Sequence, residues 1–322
     1  MATGRFSMPA RETSPMPQFS VVMPVYNKAR TLSKSLACIY GQTCRDFELI
    51  VVNDGSTDGS LELLAHEEAL GRLCLLHRDV PGAGGYAACN HGARFASGRW
   101  LVFFDPDDLL LFDHLSRFAD AIAQHPGIQL FVNGYQWMGT HYRSSVGKGI
   151  AKGVMTRRQA LAAYARCDFI HMNGTCIRRE RYQALGGFPA DHHGRDSDVT
   201  FILRALCGLD AIHYDNTVTS LWLMEHEAPV KREALPSTQH PSVEVREACE
   251  AGLSRCERYY LRAATNRKIL AWAVKKKCQQ LPVARDLASL RLGAMRAAQL
   301  YQAISLLLPR PWFERMHLAT RG

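Results

Sequence analysis

The chain has 322 residues, 47% of them hydrophobic and 21% charged, with a formal net charge of +9. That composition excludes a disordered or collagen-like chain and suits one large α/β domain with extensions. Its ten cysteines form no C-x-x-C pair, which argues against a zinc ribbon or redox motif and for a reduced, cytoplasmic protein.

The charge is unevenly placed. Fourteen of the 39 Lys and Arg lie from Arg255 onward, against three acids, Glu257, Asp286 and Glu314; the first 254 residues hold twenty-five against twenty-seven. Basic character therefore belongs to the C-terminal part, which speaks against a nucleic-acid-binding core. Residues 1–18, with Pro9, Pro15 and Pro17 and no apolar segment, read as a flexible tail and not as a signal peptide. No run approaches the roughly 20 apolar residues of a membrane span.

Taken in order, Phe19 to Val25 reads as a buried strand and Lys28 to Tyr40 as a helix. Phe47 to Val52 is a second strand that runs into Asn53-Asp54-Gly55-Ser56-Thr57-Asp58-Gly59, and Leu61 to Leu70 a second helix. Leu73 to His77 is a short strand, Gly82 to Gly85 a glycine-rich turn, Tyr86 to Ala96 a helix and Trp100 to Phe104 a fourth strand. This alternation at short spacing predicts a Rossmann-like, mostly parallel sheet with helices on both faces. Beyond Gln124 the pattern weakens. Ile128 to Val132 reads as a strand, Trp137 to Gly153 as a loop over the cleft and Phe169 to Ile177 as extended chain. A short helix at Arg179 to Leu185, a helix at Asp198 to Cys207 and a late strand at Ala211 to Tyr214 follow.

From Val243 the chain reads as helical. Leu287, Leu290, Ala294, Ala297, Tyr301, Ile304 and Leu308 recur at alternating spacings of three and four, beside Arg285, Arg291 and Arg296. Such a stripe can pack on the main domain, lie on an acidic membrane surface, or form a dimer seam. The expected organisation is a tail over 1–18, a main domain over 19–230 and a basic helical extension over 231–322.

The chemistry centres on LVFFDPDDLL, residues 101–110, an apolar run that ends in Asp105, Asp107 and Asp108. Carboxylates at a strand end face the ligand crevice of an open α/β sheet, where they can share a divalent cation or a ribose. The alternative is a cap, with Asp107 or Asp108 starting a helix from Leu109 to Gln124. Asp54, at the end of the second strand, can accept a hydrogen bond from an imide N–H, which uracil and thymine offer and cytosine does not. Asp58 or Ser56 is read as capping the next helix.

Together VVMPVYN at 21–27, QTCRDFELIVVNDGSTDGS at 42–60, the glycine turn with Asn90, GRWLVFFDPDD at 98–108, GGF at 186–188 and SDVTFILR at 197–204 resemble a family 2 glycosyltransferase with the GT-A fold. This is the type common in bacterial surface-polysaccharide assembly, and the resemblance covers about Phe19 to His226. It implies Asp54 as the uracil reader, Pro24 and Tyr26 as the base slot, and Gly84 and Asn90 at the nucleotide-side helix start. It gives Asp105 the ribose or metal and Asp107 the metal, Mn²⁺ or Mg²⁺. Asp198, six residues before Arg204, becomes the base, with Asp196 its rival and Ser197 where the family has Glu. His226 becomes a candidate metal or phosphate contact. His192 and His193, adjacent on a loop, are better placed to touch acceptor than to ligate one ion.

The function that follows is transfer of a hexosyl or N-acetylhexosaminyl group, with inversion, from a nucleotide-sugar to a glycan or lipid-linked glycan. A UDP-sugar is the favoured donor. The protein is expected in the cytoplasm, with attachment to the inner membrane face as one reading of the basic helices. Two rivals stand beside it: a catalytically inactive nucleotide-sugar or glycan-binding partner, and a nucleotidyltransferase on a related fold. The second wants a glycine-rich loop after the first strand, where this chain has PVYNKAR.

Overall fold

The computed structural model describes residues 16–78, 85–139, 143–189, 196–223 and 239–318. The first half alternates β1 (Phe19–Val25), α1 (Ala29–Tyr40), β2 (Phe47–Asn53), α2 (Ser60–Ala69), β3 (Cys74–His77), α3 (Tyr86–Phe95) and β4 (Trp100–Phe103). There follow β5 (Leu109–Leu110), α4 (His114–Gln124), β6 (Leu130–Met138), β7 (Arg143–Ser145), β8 (Gly153–Thr156), α5 (Arg157–Tyr164), β9 (Thr175–Arg178), α6 (Arg179–Ala184), α7 (Ser197–Gly208) and β10 (Ala211–Leu223). The last part is helical: α8 (Ser242–Cys249), α9 (Arg255–Cys278), α10 (Ala284–Ala288), α11 (Ala297–Leu307) and α12 (Arg310–Leu318).

One sheet runs β3-β2-β1-β4-β9-β6-β10-β5, with β7 added to β6 and β8 to β10. β3, β2, β1 and β4 are parallel, as the βα alternation requires; β9 enters antiparallel between β4 and β6. Strand side chains alternate between faces. Val21, Met23 and Val25 meet Leu32, Leu36 and Ile39 of α1 on one face. Val22 meets Ala88, Cys89 and Ala93 of α3 on the other. Each such buried Val, Leu, Ile or Met contributes about 1.5–3 kcal/mol. Gly92 lets α3 settle this closely, since a Cβ there would lie 2.6 Å from Val22 Cγ1.

Four expectations are corrected. The helix from Leu109 begins only at His114, because Leu109 and Leu110 pair with Leu221 and Ser220 of β10. The loop at 137–153 contains β7, which pairs with the end of β6, and it runs into β8. The late strand extends to Leu223, nine residues past Tyr214. The C-terminal stripe is not one helical face. Asn266 of α9 donates to Arg291 O and accepts from Arg291 N, both at 2.9 Å, so the Arg291 N–H is withdrawn from any continuous helix, and Arg291 O opens only the single turn Leu292–Ala294. The helix α5, short and set between strands, had no sequence expectation.

Val245, Leu261 and Ala264 of α8 and α9 belong to the same core as α3, α5 and α7. The helical extension is thus packed into the main body, and the boundary expected near 230 falls outside the described residues. Among the described residues, no helix is long and apolar enough to cross a membrane.

Candidate active site

β1, β2 and β4 end on the same edge of the sheet, and the candidate residues gather there. Asp54 follows β2, is 2% exposed, and donates its backbone N–H to Val25 O at 2.8 Å. Its Oδ1 accepts from Arg78 Nη1 at 2.8 Å. Pro24 lies in β1, and Tyr26, just past it, leaves 49% of its surface open. Asp58 caps both neighbouring helices: Oδ1 accepts from Ser60 N and Oδ2 from Ala29 N, each at 3.0 Å. The expected cap of α2 therefore serves α1 as well.

Asp105, Asp107 and Asp108 follow β4 and divide their work. Asp108 is 3% exposed and accepts from Asn173 Nδ2 and, at 2.9 Å, from Leu223 N. Burial, then the Asp105 charge, pushes its carboxyl up to about 8. It therefore ties β10 to the β4 loop and caps no helix. Asp107 forms an ion pair with Lys28 Nζ. Burial and the neighbouring Asp107 push Asp105 up to about 7, Lys28 opposes this, and Asp198 adds to it. Asp105, Asp107, Lys28 and Asp198 thus lie within electrostatic reach of one another.

A divalent cation fits this setting. It would offset the burial and the Asp107 repulsion that raise Asp105, and complement Asp107, which here draws on Lys28. No group of three His, Cys, Asp or Glu able to hold a metal occurs among the described residues. A hard cation such as Mg²⁺ can be held by one or two carboxylates, with phosphate oxygens and water completing its shell.

Asp198 sits in the first turn of α7. Burial and the nearby Asp196 raise it, while Lys268, the Val199 backbone and a hydrogen bond with Tyr86 pull the other way. A carboxylate moved toward neutrality is better suited to proton abstraction. Asp196 differs. Burial works upward on it, but the His240 hydrogen bond and the charges of His240, Lys268 and Lys275 hold it below the usual range. His240 Nε2 lies 3.2 Å from Asp196 Oδ2 and comes from the helical extension.

Asn90 has its amide engaged within the protein. Nδ2 donates to Phe188 O at 2.7 Å, and Oδ1 accepts from Tyr182 Oη at 2.6 Å and Phe188 N at 3.0 Å. Arg204 Nη1 donates to Leu185 O at 2.8 Å, and Ser197 Oγ to Pro189 O at 2.8 Å. Asn90 and Arg204 therefore brace Gly186-Gly187-Phe188, whose two glycines have φ of +81° and +65°, and Ser197 holds the Pro189 that follows. A cavity of about 740 Å³ is bordered by Arg78, Asn90, Phe188, Arg204 and Glu244, and none of the aspartates above lines it. Gly84, His192, His193 and His226 lie outside the described residues.

Sequence reasoning missed three residues here. Asn173 is fully buried in the turn Met172–Gly174; its Oδ1 accepts from Asp105 N at 3.0 Å while its Nδ2 serves Asp108. His171 stacks between Tyr135 and Trp222, at 4.9 and 5.0 Å, and burial lowers it to about 4 against the pull of Asp107. Arg78 is the third. None belongs to a local pattern, and each acts on a residue distant in sequence.

The sequence matches the family described as "Glycosyl transferase family 2" over residues 20–182. A PGL/p-HBAD biosynthesis glycosyltransferase of Mycobacterium tuberculosis is 38% identical over 129 residues, 39% of this chain and 50% of that protein. The glycosyltransferase GlyA of Streptococcus pneumoniae is 34% identical over 108 residues, 34% of this chain and 15% of that protein. The chain thus spans about half the length, or less, of these curated relatives. Among solved structures, S. aureus TarS 1–349 in complex with UDP superposes with a TM-score of 0.67 at 16% identity, covering 94% of this chain and 92% of that one. The UDP-GlcNAc complex gives 0.63 at 16%, covering 90% of each. These likenesses show a GT-A type fold. With the family matched over half its length, the chain belongs to glycosyl transferase family 2.

Proposed function

We propose that this glycosyltransferase is metal-dependent and inverting, and that it moves a sugar from a UDP-sugar to a hydroxyl of a glycan or lipid-linked glycan. The observation that carries this reading is the nearness of Asp105 and Asp107, after β4, to Asp198 in the first turn of α7, with Asp54 just past β2. Asp54 accepts the imide N–H of the base, and Pro24 and Tyr26 line its slot. Asp105 and Asp107 hold Mn²⁺ or Mg²⁺, with Asp105 also placed for the ribose. When bound, the cation supplies Lewis-acid neutralisation of the diphosphate leaving group.

Asp198 takes the proton of the acceptor hydroxyl as its oxygen attacks the anomeric carbon opposite the diphosphate. The carbon–oxygen bond to the diphosphate breaks, its electron pair leaves with UDP, and the new bond carries inverted configuration. Tyr86 orients the Asp198 carboxylate. UDP as the donor nucleotide agrees with the nucleotide named for the TarS complexes. A biosynthetic role agrees with the mycobacterial relative, which is named a PGL/p-HBAD biosynthesis glycosyltransferase. The same reading puts the enzyme on the cytoplasmic side, attached peripherally to the inner membrane face.

The test is a thermal-shift panel of nucleotide-sugars with and without Mn²⁺, followed by transfer assays. A ligand at 100 times its dissociation constant stabilises by about 2.7 kcal/mol. A shift confined to UDP-sugars with Mn²⁺, abolished in Asp107→Asn, is expected. Turnover and manganese dependence that survive Asp107→Asn overturn the metal assignment; absence of transfer with every donor overturns the catalytic one.

A further inference from the structure

Helix α9 separates two environments. Leu261 and Ala264 face the large core. The opposite face carries Arg255, Arg258, Tyr259, Arg262, Asn266, Ile269, Leu270 and Ala273 at helical spacing. Its C-terminal half is covered, where Ile269, Leu270 and Ala273 meet Leu290, Leu306 and Phe313. Its N-terminal half is open. There a cavity of about 550 Å³ lies between Arg255, Arg258 and Arg262 and the returning chain at Arg291 and Leu292.

Four guanidinium groups line this cavity, and no carboxylate does among the described residues. Arg262 is held by Glu250 through two bonds, at 3.0 and 2.9 Å. Among the described residues no ion pair engages Arg255, Arg258 or Arg291. Cations in the first turns of a helix oppose its dipole, so helix stability does not account for Arg255 and Arg258. A concave wall of one sign attracts an opposite charge and concentrates it.

The layer that covers α9 has an apolar outer face. α11 turns Ser305 and Leu306 inward and leaves Tyr301, Ile304 and Leu307 exposed by 57%, 61% and 72%. Leu292, 67% exposed, stands at the lip of the arginine cavity, and Trp312 is exposed on α12. Arg296 and Arg310 bracket α11 and are themselves exposed. Apolar side chains rimmed by cations suit a lipid interface carrying anionic headgroups. A second copy of the chain would set arginine against arginine.

We infer that the cavity of Arg255, Arg258, Arg262 and Arg291 is a headgroup-phosphate site and that, with the outer face of α11, it docks the protein on an anionic phospholipid bilayer. The arginines take lipid phosphates while Tyr301, Ile304 and Leu307 enter the boundary of the acyl chains. This deepens the membrane part of the proposed function and rests on it, but not on the donor chemistry.

The test is flotation of the full chain with phosphatidylcholine vesicles, with and without phosphatidylglycerol. Binding only to the anionic vesicles is expected. Arg255→Gln/Arg258→Gln/Arg291→Gln should weaken it roughly 100-fold, at about fivefold per cation. Ile304→Ser/Leu307→Ser should also weaken it. Equal flotation on both vesicles, none on either, or an unchanged triple variant overturns the proposal. So does saturation by free glycerol 3-phosphate without vesicle binding, or self-association through α11 without it. A UDP-induced thermal shift retained in every variant shows that each is folded. If that shift is absent from wild type while flotation succeeds, the donor reading falls and the docking surface stands.

Discussion

Arg78, one residue beyond β3, places Nη1 2.8 Å from Oδ1 of Asp54, one residue beyond β2. The pair crosses adjacent parallel strands and fixes the carboxylate proposed to read the base. Arg78 also borders the neighbouring cavity of about 740 Å³.

Removing either partner should act on base recognition. Asp54→Asn carries both a donor and an acceptor, so it should relax the preference for UDP over CDP by about 10- to 100-fold. Arg78→Ala leaves the carboxylate in place but unbraced, and should weaken UDP binding about 5- to 30-fold with a smaller loss of discrimination. Calorimetric titration of both nucleotides into the three proteins checks this. Unchanged UDP/CDP ratios in Asp54→Asn would remove the base-reading role.

Asp198→Asn should lower kcat by about 10²–10⁴-fold with UDP affinity nearly unchanged. Asp196→Asn should cost much less, since His240 already engages that carboxylate. Because burial and Asp196 raise Asp198, the acid limb of kcat/KM against pH should lie above the ordinary carboxylate range. Tyr86 stabilises the ionised form, so Tyr86→Phe should move that limb to higher pH. A limb that stays put on this substitution would detach Asp198 from the pH profile.

Gly187 and Asn90 form one structural unit. Gly187 has φ of +65°, and a Cβ there would lie 2.6 Å from Asn90 Oδ1. Gly187→Ala combines that strain with loss of Asn90 bonds, so a loss of roughly 2–4 kcal/mol is expected. Asn90→Ala, which leaves Phe188 N, Phe188 O and Tyr182 Oη without this partner, should cost about 2–3 kcal/mol. Chemical denaturation measures both. Because the defects share one set of bonds, the double variant should fall short of their sum.

Asp168 anchors α9. It accepts from Arg267 at 2.8 and 2.7 Å, and Lys268 Nζ lies 2.6 Å away. Burial works upward on its carboxyl, but Arg267 and Lys268 hold it well below the usual range. The stability it contributes is therefore complete above the ordinary carboxylate pKa of about 3.9 and is lost as pH falls from there toward the folded value. Its side chain is 37% exposed, so water screens the pair and about 1 kcal/mol is expected at neutral pH. Asp168→Asn should lower Tm at pH 7 and flatten its fall on acidification below pH 4, as followed by circular dichroism.

The order of strands and helices through Phe104 was legible in the sequence, as was the placing of Asp54, Asp105 and Asp107 at strand ends. Those features follow from local periodicity, which a short stretch of chain carries by itself. The tertiary structure alone decided which partner each polar group meets. Asn173 serves Asp105 and Asp108 across 68 and 65 residues, Asn90 holds Phe188 across 98, and His240 reaches Asp196 across 44. The stripe from Leu287 to Leu308 failed for the same reason. Its spacing is helical, yet Asn266, far back on α9, takes the N–H of Arg291, and the stripe is divided between α10, a single turn at Leu292–Ala294 and α11. Periodicity specifies which face of an element is apolar; sheet order and packing determine what that face, and each buried polar group, meets.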